Sequence, residues 1–149
     1  MAGRPRKKAA GSKKVKPSGP VPCAVLWGLD PSSEKGAAVR AVLREMGVVA
    51  RTVARERLGD PAGAFARMPG FRPAVVPYAG PAPAVGEFVL LCGLTDAQVN
   101  EFLARSREAG CVVGPKALLT KTNRAWPLVR LMDAVAAEHA QMAGGDGAS

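Results

Sequence analysis

The chain has little of what most active sites are made from. Among 149 residues there is one histidine, His139, and aromatics amount to 5%. The three cysteines, Cys23, Cys92 and Cys111, are odd in number and widely spaced, with no Cys-x-x-Cys. That spacing argues against a metal or redox motif and for buried, reduced thiols, so neither metal nor cofactor is expected. No run approaches the roughly 18–20 apolar residues of a membrane span, and no apolar stretch follows the N-terminal charges as a secretory signal requires. The expectation is a cytoplasmic protein with no membrane partner. Acidic residues are also missing from one place, the first twenty positions.

Those twenty positions carry Arg4, Arg6, Lys7, Lys8, Lys13, Lys14 and Lys16, a local +7 of the total +9. The remaining 14 basic side chains face 12 acidic ones, so the rest of the chain is nearly balanced. With almost no apolar side chains, residues 1–20 cannot offset the entropy of ordering, and a disordered arm is expected. Its cations suit phosphate binding through counterion release, so the seven are nucleic-acid candidates. No aromatics are interleaved with them, which leaves single-strand stacking unsupported. A passive tail is the plainer reading.

The remainder reads as one domain, residues 21–143, with a frayed tail at 144–149. Cys23–Trp27 is a short apolar run closed by Gly28, as a buried strand would be. Ser32 or Ser33 caps a helix whose stripe is Ala38, Val39, Val42, Leu43 and Met46. Gly47 stops it, and 48–54 returns as a strand. Residues 87–120 repeat this plan: a strand at 88–92, Gly93, a capping box in Thr95-Asp-Ala-Gln98, a helix, Gly110, and a return strand in Cys111–Val113 and Ala117–Leu119. Val25-Leu-Trp-Gly-Leu-Asp30 parallels Leu90-Leu-Cys-Gly-Leu-Thr95. Two such βαβ halves predict a ferredoxin-like α+β fold, a four-stranded antiparallel sheet with two helices on one face. Coincidence of two common units is the alternative to duplication.

Between the halves, residues 55–86 are rich in Pro and Gly. Ala62–Met68 reads as one helical turn, and Ala74–Val76, fenced by prolines, as an edge strand at best. A connection this long is functional or mobile. A last helix is expected from Arg124 to about Met142, with Asn123 as its N-cap and Leu128, Leu131, Met132, Val135 and His139 on one face. It must cover the bare sheet face or a partner subunit, which makes a homo-oligomer an expectation.

Lys116, Thr120, Lys121, Asn123 and Arg124 cluster near the start of that helix, where free N–H groups and cations make an anion site. Ordinary caps and solvated cations explain them equally well. Trp126 is a core anchor or, less economically, a ligand platform. Gly28 and Gly93 are turn glycines, not phosphate loops. A Cys–His pair would need His139 beside Cys92 or Cys111. Asp30, Asp60, Asp96 and Asp133 read as turn or exposed helix positions, with no carboxylate pair and no catalytic residue evident.

Lys116-Ala-Leu-Leu-Thr120, then Asn123, Trp126 and Glu138-His139, resemble the signature of a bacterial family known only as domain of unknown function 3783. The resemblance covers about residues 87–142, with Pro127 departing from the pattern. It implies a small bacterial α+β domain and no particular activity. The chain is therefore expected to be a non-catalytic binding or regulatory module, with an accessory nucleic-acid-binding protein as the alternative and an enzyme on an anionic substrate behind both.

Overall fold

A computed structural model describes the backbone of residues 20–148 and the side chains of residues 20–141. The arm and its seven cations thus lie almost wholly outside the described residues. Strand β1 (Cys23–Trp27) leads to helix α1 (Glu34–Glu45) and strand β2 (Val49–Thr52). A 3-10 turn (Arg55–Arg57) and the one-turn helix α2 (Ala62–Phe65) follow. Then come β3 (Phe88–Cys92), α3 (Asp96–Glu108), β4 (Lys116–Leu118) and α4 (Leu128–Ala148).

Local chemistry sets the two long helices. The Ser33 hydroxyl accepts from the Gly36 N–H at 3.0 Å at the start of α1. The Thr95–Gln98 capping box opens α3, with bonds of 2.9 and 3.1 Å. Both helices end before a glycine in the left-handed region, Gly47 at φ +73° and Gly110 at φ +68°.

The four strands form one sheet in the order β2-β1-β3-β4. Strands β1 and β2 are parallel, β3 and β4 are parallel, and the two central strands, β1 and β3, are antiparallel. The expected α+β class and the two βαβ units are present, but the purely antiparallel ferredoxin-like sheet is not. The reason lies in the 53–87 connection. A hairpin after β2 would place β3 beside β2; this long segment instead leaves β2, crosses the open face, and delivers β3 to the far side of β1.

Both faces of the sheet are consequently covered. On one, Ala24, Leu26, Val89 and Leu91 pack against α1 and α3, with Val39, Leu43, Phe102, Cys111 and Val113 buried there. On the other, Cys23, Val25, Phe88, Leu90 and Cys92 pack against Leu58, Ala62 and Met68 of the connection and Leu128, Leu131, Met132 and Val135 of α4. Burial on both sides explains why β1 and β3 read as unbroken apolar runs. It also answers what α4 covers: the chain's own sheet. That face therefore needs no partner subunit to cover it.

Several local expectations shift. The segment 111–113 is no strand: Cys111 and Val113 are buried, Val112 is exposed, and the Gly114-Pro115 break delays pairing to Lys116. Residues 74–76 form no strand either, and Val75 is 98% exposed. Helix α4 starts at Leu128, not Arg124, because the residue before a proline is pushed out of helical geometry. It continues to Ala148, past the glycines expected to end it. An established helix adds a bond per residue fixed, so glycines weaken its end without stopping it. At about 1.5 Å per residue α4 is roughly 31 Å long, against about 17 Å for a five-residue strand. It therefore outruns the sheet, and His139, expected on the apolar stripe, is exposed. Among the described residues no helix is long and apolar enough to cross a membrane.

Candidate anion-binding site

The connection and α4 are joined by backbone rather than by side chains. Around an antiparallel bridge between Pro61 and Pro127, Leu128 N–H donates to Asp60 O and Val129 N–H to Leu58 O, at 2.9 and 3.0 Å. In return Ala62 N–H donates to Trp126 O and Gly63 N–H to Arg124 O, both at 2.8 Å. Each helix start thus has its free N–H groups capped by carbonyls of the other. This removes the free donors on which an anion site at the start of α4 would depend.

The residues proposed for that site are also divided. Lys116 turns toward α3, where its ammonium donates to Val113 O at 2.5 Å and Gly114 O at 3.3 Å. Burial, then the charge of Lys35, holds its pKa below the ordinary lysine value. Asn123 lies on the α4 side. Its Oδ1 accepts from Thr120 N–H at 2.9 Å, and its Nδ2 donates to Leu118 O at 3.0 Å. The Thr120 hydroxyl accepts from Asn123 N–H at 3.1 Å. Asn123 is therefore a buried tie holding the β4–α4 loop, not a helix cap. Trp126 is half-buried against the core and lies under the Arg130 guanidinium, 4.2 Å from its ring centroid. Arg124 sits over Phe71 at 5.7 Å, and Lys121 is exposed.

The structure gathers a different set of cations. Arg51, Arg57 and Arg67 line one cleft of about 280 Å³ with Asp60, Phe65 and Pro73. Arg51 comes from edge strand β2; its neighbour Ala50 faces the α1–α3 layer, so strand alternation turns Arg51 to the opposite side. Arg57 ends the 3-10 turn and pairs with Asp60, Nη2 to Oδ2, at 2.8 Å. Asp60 is 3% exposed, and its Oδ1 accepts from Ala74 N–H at 2.8 Å. The carboxylate expected in a simple turn is thus a buried anchor for the connection.

Arg67 closes α2 in an unusual way. Met68 N–H donates to Gly63 O and Arg67 N–H to Ala64 O, the pattern of a Schellman motif. Arg67 fills the left-handed position of that motif, at φ +56°, where glycine is usual. A bulky side chain held there carries backbone strain that glycine would not. Among the described residues neither Arg51 nor Arg67 has a carboxylate within salt-bridge distance, and Arg51 Nε is buried without a hydrogen-bond partner. Two guanidiniums are left over after Asp60 has neutralised the third.

Beneath the cleft lies Cys23, whose thiol donates to the Phe65 carbonyl at 3.9 Å. The adjacent Cys92 thiol is the largest influence holding Cys23 below the ordinary thiol value, to about 7, with help from Arg51 and the charge of Arg67 and against the effect of burial. Cys92, whose thiol donates to Leu90 O at 3.9 Å, is pushed well above that value by the adjacent Cys23 and by burial. A larger hollow, about 350 Å³, opens between α1 and α3. Its Glu45 and Arg105 pair with each other at 3.1 Å, so it offers less unmatched charge. Among the described residues no three His, Cys, Asp or Glu side chains are grouped to hold a metal ion.

Sequence reasoning missed this cleft because its arginines come from a strand, a turn and a helix end, with no local motif among them. The one available signal was an arginine where a helix-ending glycine belongs. No curated protein and no solved structure matches the chain. Residues 87–142, which supply β3, α3, β4 and most of α4, match the model of the family described as Domain of unknown function (DUF3783), as the motif around Lys116 to Trp126 suggested.

Proposed function

We propose that the chain is a non-catalytic module that binds a phosphate-bearing ligand in the arginine cleft. The observation that carries this reading is the pair of unmatched guanidiniums, Arg51 and Arg67, converging on one cleft beside the Arg57–Asp60 pair. Guanidinium presents a planar fork of donors that suits phosphate oxygens, and it stays protonated at any physiological pH. For the same reason it is no general base. Asp60, the one carboxylate present, is already committed to Arg57 and the Ala74 amide. The cleft is therefore equipped to hold charge rather than to move protons.

A second reading, nucleic-acid binding, has its own support. The basic segment joins the domain at the rim of this cleft: Val21 N–H donates to Ala66 O at 2.9 Å, one residue from Arg67. The seven arm cations precede Val21 in sequence, and together with the cleft arginines they suit a polyanion rather than a single phosphate. Such binding is indifferent to base sequence, because phosphate contacts position without specifying.

One set of titrations tests both. Calorimetry with pyrophosphate should show binding that falls at least tenfold in the Arg51→Gln/Arg67→Gln double variant and is unchanged in Arg107→Gln on the other face. No binding, or equal binding by the double variant, overturns the phosphate site. With duplex DNA, four to seven engaged arm cations give a slope of roughly −4 to −6 in log K against log salt. Removing residues 1–19 should abolish most of it, and absence of binding at about 50 mM salt contradicts the nucleic-acid reading.

A further inference from the structure

Cys23 and Cys92 are far apart in sequence, but β1 and β3 place them opposite each other. Both thiols are free and fully buried, and both point to the face covered by the connection and α4. The kind of pairing follows from the neighbouring bonds. Leu26 O accepts from Val53 N–H toward β2, and Leu91 O accepts from Leu119 N–H toward β4. Groups on Cys23, Val25 and Trp27 therefore point at β3, and those on Phe88, Leu90 and Cys92 point back. Cys23 and Cys92 form a hydrogen-bonded antiparallel pair, with Cα atoms about 5.5 Å apart. That lies inside the span of roughly 4.4–6.8 Å that a disulfide bridges.

We propose that Cys23 and Cys92 are a redox-active pair that closes to an intrachain disulfide when a hydroperoxide oxidises Cys23. The Cys23 thiolate attacks the distal peroxide oxygen. The O–O bond breaks, and the leaving oxygen takes a proton as water or an alcohol, which makes Cys23 a sulfenic acid. The Cys92 sulfur then attacks the Cys23 sulfur. The S–O bond breaks, hydroxide leaves and takes the Cys92 proton as a second water, and the S–S bond forms. Two thiols are oxidised by two electrons and one peroxide is reduced.

Three features favour this pair over Cys111. Cys23 is the member whose pKa is lowered, with Arg51 and Arg67 close enough to favour its thiolate. Cys111 lies across the sheet in the other core, with burial the main cause raising its pKa. Phe65 both lines the arginine cleft and gives its carbonyl to Cys23, so a single residue of a one-turn helix separates the thiol from the surface. The bond formed would also be labile. Directly opposed Cβ atoms sit about 4.5–5.5 Å apart, wider than the roughly 3.5–4.5 Å of a relaxed disulfide. Closing that gap strains the bond and makes it easily reduced. None of this depends on what the cleft binds.

The test is hydrogen peroxide treatment of the full-length protein, followed by alkylation, proteolysis and mass spectrometry. The expected product is a Cys23–Cys92 linked peptide with Cys111 still alkylated, reversed by dithiothreitol. In Cys92→Ser a sulfenic acid should accumulate on Cys23 and react with dimedone. In the unsubstituted protein the rate of disulfide formation should rise from pH 6 to pH 8, as the Cys23 thiolate fraction grows. Linkage through Cys111, intermolecular products only, or no dimedone adduct in the folded Cys92→Ser variant would overturn the proposal. Circular dichroism of each variant shows whether it is folded when tested.

Discussion

The two faces of the sheet are built by different means. The α1–α3 face is regular: two capped helices, each carrying a stripe at helical spacing, meet alternate residues of β1 and β3. The opposite face is irregular, assembled from a proline-rich connection and one overlong helix. Its parts are held by backbone bonds around Pro61 and Pro127 and by the buried Asp60 carboxylate. The regular face pairs Arg105 with Glu45 and Glu101 at its surface, and leaves Arg40 and Arg44 of α1 without a carboxylate partner among the described residues. The irregular face holds the Arg51–Arg57–Arg67 cleft and the opposed thiols. Polar anchors, not apolar periodicity, fix the side of the molecule that carries the two proposed sites.

That contrast is sharpest for two of the buried polar side chains, Asp60 on one face and Ser106 on the other. Asp60→Ala deletes the acceptor for Ala74 N–H and leaves Arg57 without its partner. Arg57 remains solvated, so the cost is that of losing hydrogen bonds to a buried carboxylate, about 1.5–3 kcal/mol, which urea unfolding would measure. A loss under about 1 kcal/mol would show that the connection is held by apolar packing after all.

Ser106 provides the small effect. Its hydroxyl is buried without a hydrogen-bond partner among the described residues. Ser106→Ala removes an unsatisfied group at nearly constant volume, so stability should change by no more than about 0.5 kcal/mol, with a gain as the expected direction. A loss above about 1.5 kcal/mol would mean that the regular face, too, depends on polar ties.

The same contrast explains what was legible in the sequence. Strands β1 and β3, the Ser33 and Thr95 caps, and the stops at Gly47 and Gly110 all follow from neighbours within a few positions. Strand order does not. Whether β3 lands beside β2 or beyond β1 depends on the path of the 53–87 connection, which carries no periodic signal. Asp60 looked like a turn residue because its partners, Ala74 and the Leu128 amide, are remote in sequence. Lys116 and Arg124 looked adjacent because eight positions separate them, yet the sheet puts them on opposite sides. Cys23 and Cys92 looked unrelated until the register of β1 with β3 was known.

The central claim is that anions are received on the irregular face, at the cleft of Arg51, Arg57 and Arg67. Amide chemical-shift mapping of the full-length protein with pyrophosphate tests it most directly. Shifts confined to residues 51–68 and 73–74, with the amides of α3 silent, are the expected result. Shifts centred on Lys116 to Arg124 or on α3, with residues 51–68 unmoved, would contradict it.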